Sequence, residues 1–364
     1  MKILFVATQL YFPQLYGGVQ TSTDQLCHAL IKRGHKVALL MKLMPGGLFG
    51  WRARAHMYIN KKLVGCKVSK DTGYGYPIWR TWFPVEALDY VSIKERPDLI
   101  IIMSGGNVMP LALKAKQTSI PILVQLHDVG LDEEYGESFR QLGNVPCIAN
   151  SHFTAERYHR VYGVSPSVIY PFVAIERYQT PTTKENITFI NPVSEKGCDI
   201  ACKIARLCPD ISFSFVEGWT LSQEQRQLLD RTLSDLPNVT LLPSTPDMRL
   251  IYGKCKILLV PSTFEETFGR VVTEAQASGI PVIASRRGGL PETVGPGGIL
   301  LDPEGPIEDW VKAVRKLWQD DQYYNELSTA ALAHAQRPDM NLNHQIDAYE
   351  KTFAQLIAGE EELL

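Results

Sequence analysis

Ten short apolar runs, five in each half of the chain, constrain this sequence more than any other feature. They fall at residues 3–7, 37–41, 99–103, 122–125 and 147–149, then at 187–190, 212–216, 239–242, 257–260 and 282–284. The runs are continuous rather than alternating, and several are rich in Ile and Val. That is the mark of strands buried on both faces. The segments between them, such as 21–33, have helical spacing, so strand and helix alternate and a parallel sheet covered on both sides is expected. The scheme occurs twice in 364 residues, which is long enough for two domains that each bury a core. The stretch 170–185, with Pro171 and Pro181, reads as the hinge. The expected organisation is a first domain over 1–170, a second over 171–344, and a last segment, 345–364, whose helix 345–357 returns to the first domain. The fold class is α/β: two Rossmann-like domains facing across a cleft, with ligands at the carboxyl ends of the strands.

Composition narrows the partners. The formal net charge is −2 with 21% charged residues, which gives no global reason to expect nucleic acid. The apolar run after Lys2 ends at Ala7, too short for a signal sequence, and no stretch approaches the roughly 20 apolar residues of a membrane span. Seven cysteines at irregular spacings, Cys198, Cys202 and Cys208 among them, read as reduced thiols, so a cytoplasmic location is expected. One segment departs from the average. Residues 25–70 carry no Asp or Glu, yet Lys42, Arg52, Arg54, Lys61, Lys62, Lys67 and Lys70 accompany Leu48, Phe49 and Trp51. Such a segment is either a solvated loop or, over 42–70, a peripheral contact with anionic lipid or an acidic acceptor.

The stretch 261–292, PSTFEETFGRVVTEAQASGIPVIASRRGGLPE, follows a strand and runs through a loop of small and acidic residues into a helix from about Gly269. The free backbone N–H groups of Phe268, Gly269, Arg270 and Val271 would then open at the carboxyl edge of the sheet, where a helix start favours anions. Gly269 lacks a Cβ and would let a phosphate approach the backbone. Glu266 and Glu274 would flank that anion site. Carboxylates repel phosphate, so their partners would be sugar hydroxyls. Taken singly, Glu266 as a helix cap and Glu274 as a surface charge are equally open.

This stretch closely resembles the signature of family 4 of the retaining glycosyltransferases, in which two Glu are separated by seven intervening residues in a PS...E.FG....EA.A.G.PV.A...GG.PE pattern. The resemblance implies the two-lobed GT-B architecture and assigns Glu266 to the donor sugar, Glu274 to ribose hydroxyls, and the amides of 268–271 to a diphosphate. A second match, TQLYFPQLYGGVQTSTDQLCHAL, places Gly17 and Gly18 before a helix in the family's opening pattern, as a loop for acceptor or phosphate. His35, in GHKV, fits that pattern as a structural residue. His127, at the end of strand 122–125, matches a family His that reaches the donor sugar; Asp128 would position its loop. Asn150 and Ser151 would line the cleft or cap the next helix.

The clearest departure lies at 189–197, FINPVSEKG, where the family usually has Arg and Lys. Lys196 keeps the phosphate-directed charge, while Asn191 or Pro192 stands near the missing Arg. Arg270, Arg286 and Arg287 are the candidates to compensate. The resemblance implies a hexosyltransferase-type, retaining, metal-independent enzyme. It would use a nucleotide-sugar donor, UDP-sugar ahead of GDP-sugar, with a hydroxyl acceptor and no cofactor. No strict DxD is present. Two rivals stay open: a nucleotide-sugar epimerase or phosphorylase of the same architecture, and a non-catalytic sugar-nucleotide-binding subunit.

Overall fold

A computed structural model describes residues 1–105, 109–129, 139, 141–218 and 221–359. The chain divides into two compact units, one of Met1–Phe172 with the segment from Asn343 onward, the other of Val173–Leu342.

The first unit holds the strands β1 (Lys2–Leu10), β2 (Lys36–Lys42), β3 (Ser69–Asp71), β4 (Ile78–Thr81), β5 (Leu99–Met103), β6 (Ile122–Leu126), β7 (Cys147–Ala149) and β8 (Ser167–Val168). They form one sheet in the order β3-β4-β2-β1-β5-β6-β7-β8, and every pair is parallel except β3 with β4. The central runs Leu4–Val6 and Leu99–Ile102 are fully buried, as expected of strands covered on both faces. Strand order reverses at β1, whose neighbours are β2 and β5. In an open parallel sheet that reversal leaves a crevice beyond the carboxyl ends, where ligands bind.

The helix Leu342–Ala358 belongs to this unit. Tyr349 receives a hydrogen bond from Gln125 on β6 at 2.7 Å, and Glu350 holds His35 Nε2 at 2.8 Å and Arg33 at 3.3 Å. His35 is therefore a structural residue, as its place at the helix-to-strand corner suggests.

The second unit holds β9 (Asn186–Ile190), β10 (Phe213–Val216), β11 (Val239–Leu242), β12 (Cys255–Val260), β13 (Val282–Ser285) and β14 (Gly298–Leu301). All are parallel, in the order β11-β10-β9-β12-β13-β14, so this sheet reverses between β9 and β12. Its core joins Ile187, Phe189, Phe213 and Phe215 to Ile257, Leu259 and Trp310.

Four strands escaped the sequence pattern: β3, β4, β14 and the two-residue β8. In β4 a fully buried Arg80 interrupts the apolar run, its Nε donating to Asp71 at 2.5 Å. In β3 the run SKD is short and polar, and β14 is a brief GILL beside turn glycines. The basic segment differs more. Residues Gly47–Val64 form an eighteen-residue helix rather than a loop. Its pattern was hidden because apolar side chains lie on both of its faces.

Candidate functional site

The switch point of the second sheet gathers most of the expected site residues. Three loops leave β9, β12 and β13 and stack on one another, and glycines permit the contact. Gly197 has φ +81°, and a Cβ there would lie 1.9 Å from the carbonyl oxygen of Pro261. At Gly288 a Cβ would lie 2.3 Å from the Glu266 oxygen, and at Gly289 2.3 Å from the Thr267 oxygen. The Thr263 amide donates to Glu195 at 3.1 Å and the Gly289 amide to Glu266 at 2.6 Å, which ties the loops together. The repulsion that any side chain would meet at 197, 288 and 289 thus fixes these positions as glycine.

On this platform Lys196 Nζ lies 2.6 Å from Glu266 Oε1, and Ser262 donates to the same oxygen at 2.9 Å. Phe264 covers the ammonium, its ring centroid 4.5 Å away. Asn191 follows β9 in the left-handed region, φ +61°, with its side chain against Gly218. Its own amide donates to Val216 at 2.8 Å. Asn191, Lys196, Ser262, Glu266 and Val271 line a cavity of about 30 Å³. The pair thus sets an ammonium group against a carboxylate at the edge of this cavity.

The helix Arg270–Gln276 begins after Gly269, whose φ is +81°. The requirement for glycine at 269 has a second cause besides the expected approach of a phosphate, since a Cβ would meet Leu290 Cδ2 at 2.6 Å. Phe268 is buried, and its carbonyl accepts from Thr293 at 2.5 Å. Glu274 is not a surface charge. It is 6% exposed; Arg270 Nε donates to one carboxylate oxygen at 2.8 Å and Tyr252 to the other at 3.0 Å. Burial raises the Glu274 carboxyl above the ordinary value, while Arg270 and Tyr252 act to lower it.

Arg270, one candidate to replace the missing Arg, has partners inside its own unit. Its guanidinium is buried and donates to Tyr178 at 2.8 Å as well as to Glu274. The i,i+4 spacing brings Arg270 and Glu274 together on one helix face. Arg286 donates to the Leu300 carbonyl at 3.1 Å, and Arg287 bridges the Thr263 carbonyl and Glu304. Sequence reasoning missed Tyr178, Tyr252 and Ser262. Only the last carried a local signal, in the PS that opens the motif.

In the first unit, β1 leads to Gly17, the residue before the helix Gly18–Lys32. A Cβ at Gly17 would meet Gln20 Oε1 at 2.8 Å, and Gln20, which is buried, donates to the Leu10 carbonyl at 3.1 Å. His127 follows β6, and its amide donates to Ser104 Oγ, beyond β5, at 2.7 Å. Burial pushes the His127 imidazole down to about 4, so the ring is neutral at physiological pH. Asp128 accepts from Tyr158 at 3.4 Å, and burial raises its carboxyl above the usual range. Ser151 caps the helix His152–Tyr162 by accepting from the Thr154 amide at 3.0 Å.

Two α/β units, each built on a largely parallel sheet that reverses its strand order at a switch point, define a two-domain, Rossmann-like class of protein. Solved structures share this fold across the whole chain. Anabaena HepE in complex with UDP-glucose has a TM-score of 0.77 at 19% identity and covers 98% of this chain and 100% of its own. Sucrose-phosphate synthase from Thermosynechococcus elongatus has a TM-score of 0.78 at 18% identity, covering 98% and 99%. The family model for glycosyl transferases group 1 matches residues 175–334, and that for Glycosyltransferase Family 4 matches residues 16–177. The chain belongs to the family-4 type of glycosyltransferases.

Among curated relatives, a D-inositol 3-phosphate glycosyltransferase of Corynebacterium kroppenstedtii is 40% identical over 128 residues, 34% of this chain and 28% of that protein. One from Thermobifida fusca is 28% identical over 225 residues, 52% of this chain and 50% of that protein. The chain thus spans between about a quarter and a half of the length of these relatives.

Proposed function

We propose that this protein transfers a hexosyl group from a nucleotide-diphosphate sugar to a hydroxyl acceptor with retention at the anomeric carbon. The observation that carries the reading is the Lys196–Glu266 pair, 2.6 Å apart at the carboxyl edge of the β9–β12 switch point and beside the start of the helix Arg270–Gln276. A donor diphosphate would take over Lys196 as its counter-charge. Glu266, released from the ammonium, would accept hydrogen bonds from sugar hydroxyls. Glu274 would receive ribose hydroxyls. A carboxylate offers about four acceptor sites, and at Glu274 Arg270, Tyr252 and Tyr178 draw on them, so a ribose hydroxyl would join an existing network. The amides of 268–271 would complete the diphosphate site.

In the transfer, the bond from the anomeric carbon to the diphosphate oxygen breaks as the acceptor oxygen bonds to the same face of that carbon. The acceptor proton passes to the departing phosphate oxygen, so no protein base is required. Lys196 and the backbone amides stabilise the negative charge growing on the diphosphate, a contribution whose loss typically lowers the rate by about 10²–10³. His127, kept neutral by burial, suits hydrogen bonding to a sugar hydroxyl rather than carrying charge. No metal or cofactor enters this scheme.

UDP is the base expected ahead of GDP, a choice supported by the neighbour solved with UDP-glucose. The test is a panel of UDP-, GDP- and ADP-sugars offered with hydroxyl acceptors, with the anomeric configuration of the product read by NMR. A retained configuration, with turnover lost in Lys196→Ala, supports the proposal. An inverted product, or an epimerised donor with no transfer, would overturn it. Tight donor binding without turnover across the panel would favour a non-catalytic binding subunit.

A further inference from the structure

The helix Gly47–Val64 is unusual in what it turns outward. Its inner face, Ala53 and Met57, packs with Leu43 into a small satellite core flanked by Phe49 and Trp82. On the opposite face, Leu48, Trp51, Tyr58 and Ile59 are 88%, 65%, 61% and 51% exposed. At 100° per residue these four fall on one stripe, with Arg54 and Lys61 along one border and Arg52 along the other. Large apolar side chains exposed side by side mark an interaction surface rather than ordinary scatter.

We propose that this face docks on an anionic lipid bilayer. The charge pattern selects that occupant. The helix carries no acidic residue, nor does any position from 25 to 70. A second copy of the chain seated on the same face would set basic borders against basic borders, whereas anionic headgroups complement them. The apolar stripe suits the boundary between headgroups and acyl chains, where Trp and Tyr place an apolar ring and a polar tip. Lys62 Nζ lies 4.7 Å from the Tyr58 ring centroid and the Arg54 guanidinium 5.7 Å from that of Trp51, so the cations stand beside the rings they would carry to the headgroups. Among the described residues no helix is long and apolar enough to cross a membrane, so the contact is peripheral.

The surface also borders the glycine loop. Gln14 Nε2 donates to the Met44 carbonyl at 2.7 Å, and the Met44 amide donates to Gln14 Oε1 at 3.1 Å, which ties the segment before Gly17 to the segment before the helix. Docking would therefore bring the loop assigned to the acceptor to the bilayer surface, where an acceptor carried on a lipid would be met. That last step rests on the acceptor assignment above; the docking does not.

The test is co-sedimentation of the full chain, without donor or acceptor, with vesicles of phosphatidylcholine alone and of phosphatidylcholine mixed with phosphatidylglycerol. Binding to the mixed vesicles only is expected, with the partition coefficient falling about fivefold for each of Arg54→Gln, Lys61→Gln and Lys62→Gln. Trp51→Ser with Tyr58→Ser should abolish it while leaving the thermal unfolding of the protein unchanged, because both rings are exposed. Equal binding to the two vesicle types, or none by the wild type, would overturn the proposal. So would self-association on size exclusion that Trp51→Ser removes while vesicle binding persists. Sugar transfer is read in neither arm, so failure here leaves the transferase reading standing and its failure leaves this one.

Discussion

The carboxyl edges of the two sheets solve the problem of buried polar groups in opposite ways. In the second unit the candidate site side chains are acidic and basic groups paired with each other, Lys196 with Glu266 and Arg270 with Glu274. In the first unit the corresponding edge carries groups that burial holds toward neutrality, His127 pushed down to about 4 and Asp128 pushed up. The contrast teaches what each edge is prepared for. Paired charges can exchange one partner for a diphosphate, while a neutral imidazole can bond to a hydroxyl without adding charge.

The comparison breaks most visibly at Arg270. Arg270→Ala leaves a buried Glu274 without its counter-ion and should destabilise the protein by about 3–5 kcal/mol, read from urea midpoints. Replacing the pair together, Arg270→Met with Glu274→Gln, should recover most of that loss. If Arg270→Ala were neutral in stability, the pair would not be a structural unit and the guanidinium would be available to ligand after all.

Lys196→Ala should lower kcat by about 10²–10³ with a much smaller effect on the unfolding midpoint, because its side chain is partly open at the edge of the cavity. Comparable losses in stability and activity would move Lys196 from the reaction to the scaffold.

The first unit is probed by pH. The folded His127 value lies below the ordinary 6.5, so the unfolded state binds more protons between those limits and stability falls as pH drops from about 6.5 toward 4. The contribution lost is on the order of 3 kcal/mol. Thermal melts over that range should steepen in wild type and flatten in His127→Asn; identical slopes would show that the imidazole is already solvated.

The smallest effect is at Ser151. Ser151→Ala removes the cap of the helix His152–Tyr162 and should cost about 1 kcal/mol in thermal stability with the donor Kd unchanged. A changed donor Kd would assign Ser151 to the site instead.

Much of this was legible in the sequence. Continuous apolar runs located the central strands of both sheets because those strands are buried on both faces and carry no polar half to confuse the pattern. The loops that carry Lys196 and Glu266 were legible as loops, because each follows an apolar run and holds its polar residues in a few consecutive positions; that the two side chains meet is added by the structure. The partners of Arg270 were not legible. Tyr178 and Tyr252 approach Glu274 and Arg270 from distant segments, and no spacing in the chain records that convergence. Nor was the helix Gly47–Val64, since Ala53 and Met57 inward and Leu48 and Trp51 outward erase a one-sided stripe.

The helix Leu342–Ala358 has a consequence for how the chain is made. It completes the first unit, burying Tyr349 and Phe353 against residues synthesised far earlier, yet all of the second unit is translated in between. At about 5–20 residues per second, Gln125 on β6 waits on the order of 10–30 s after the first unit emerges before Tyr349 exists to receive its hydrogen bond. Until then the first unit lacks the cover that Tyr349 and Phe353 give its surface in the folded chain. That surface is covered only once the helix Leu342–Ala358 has been made.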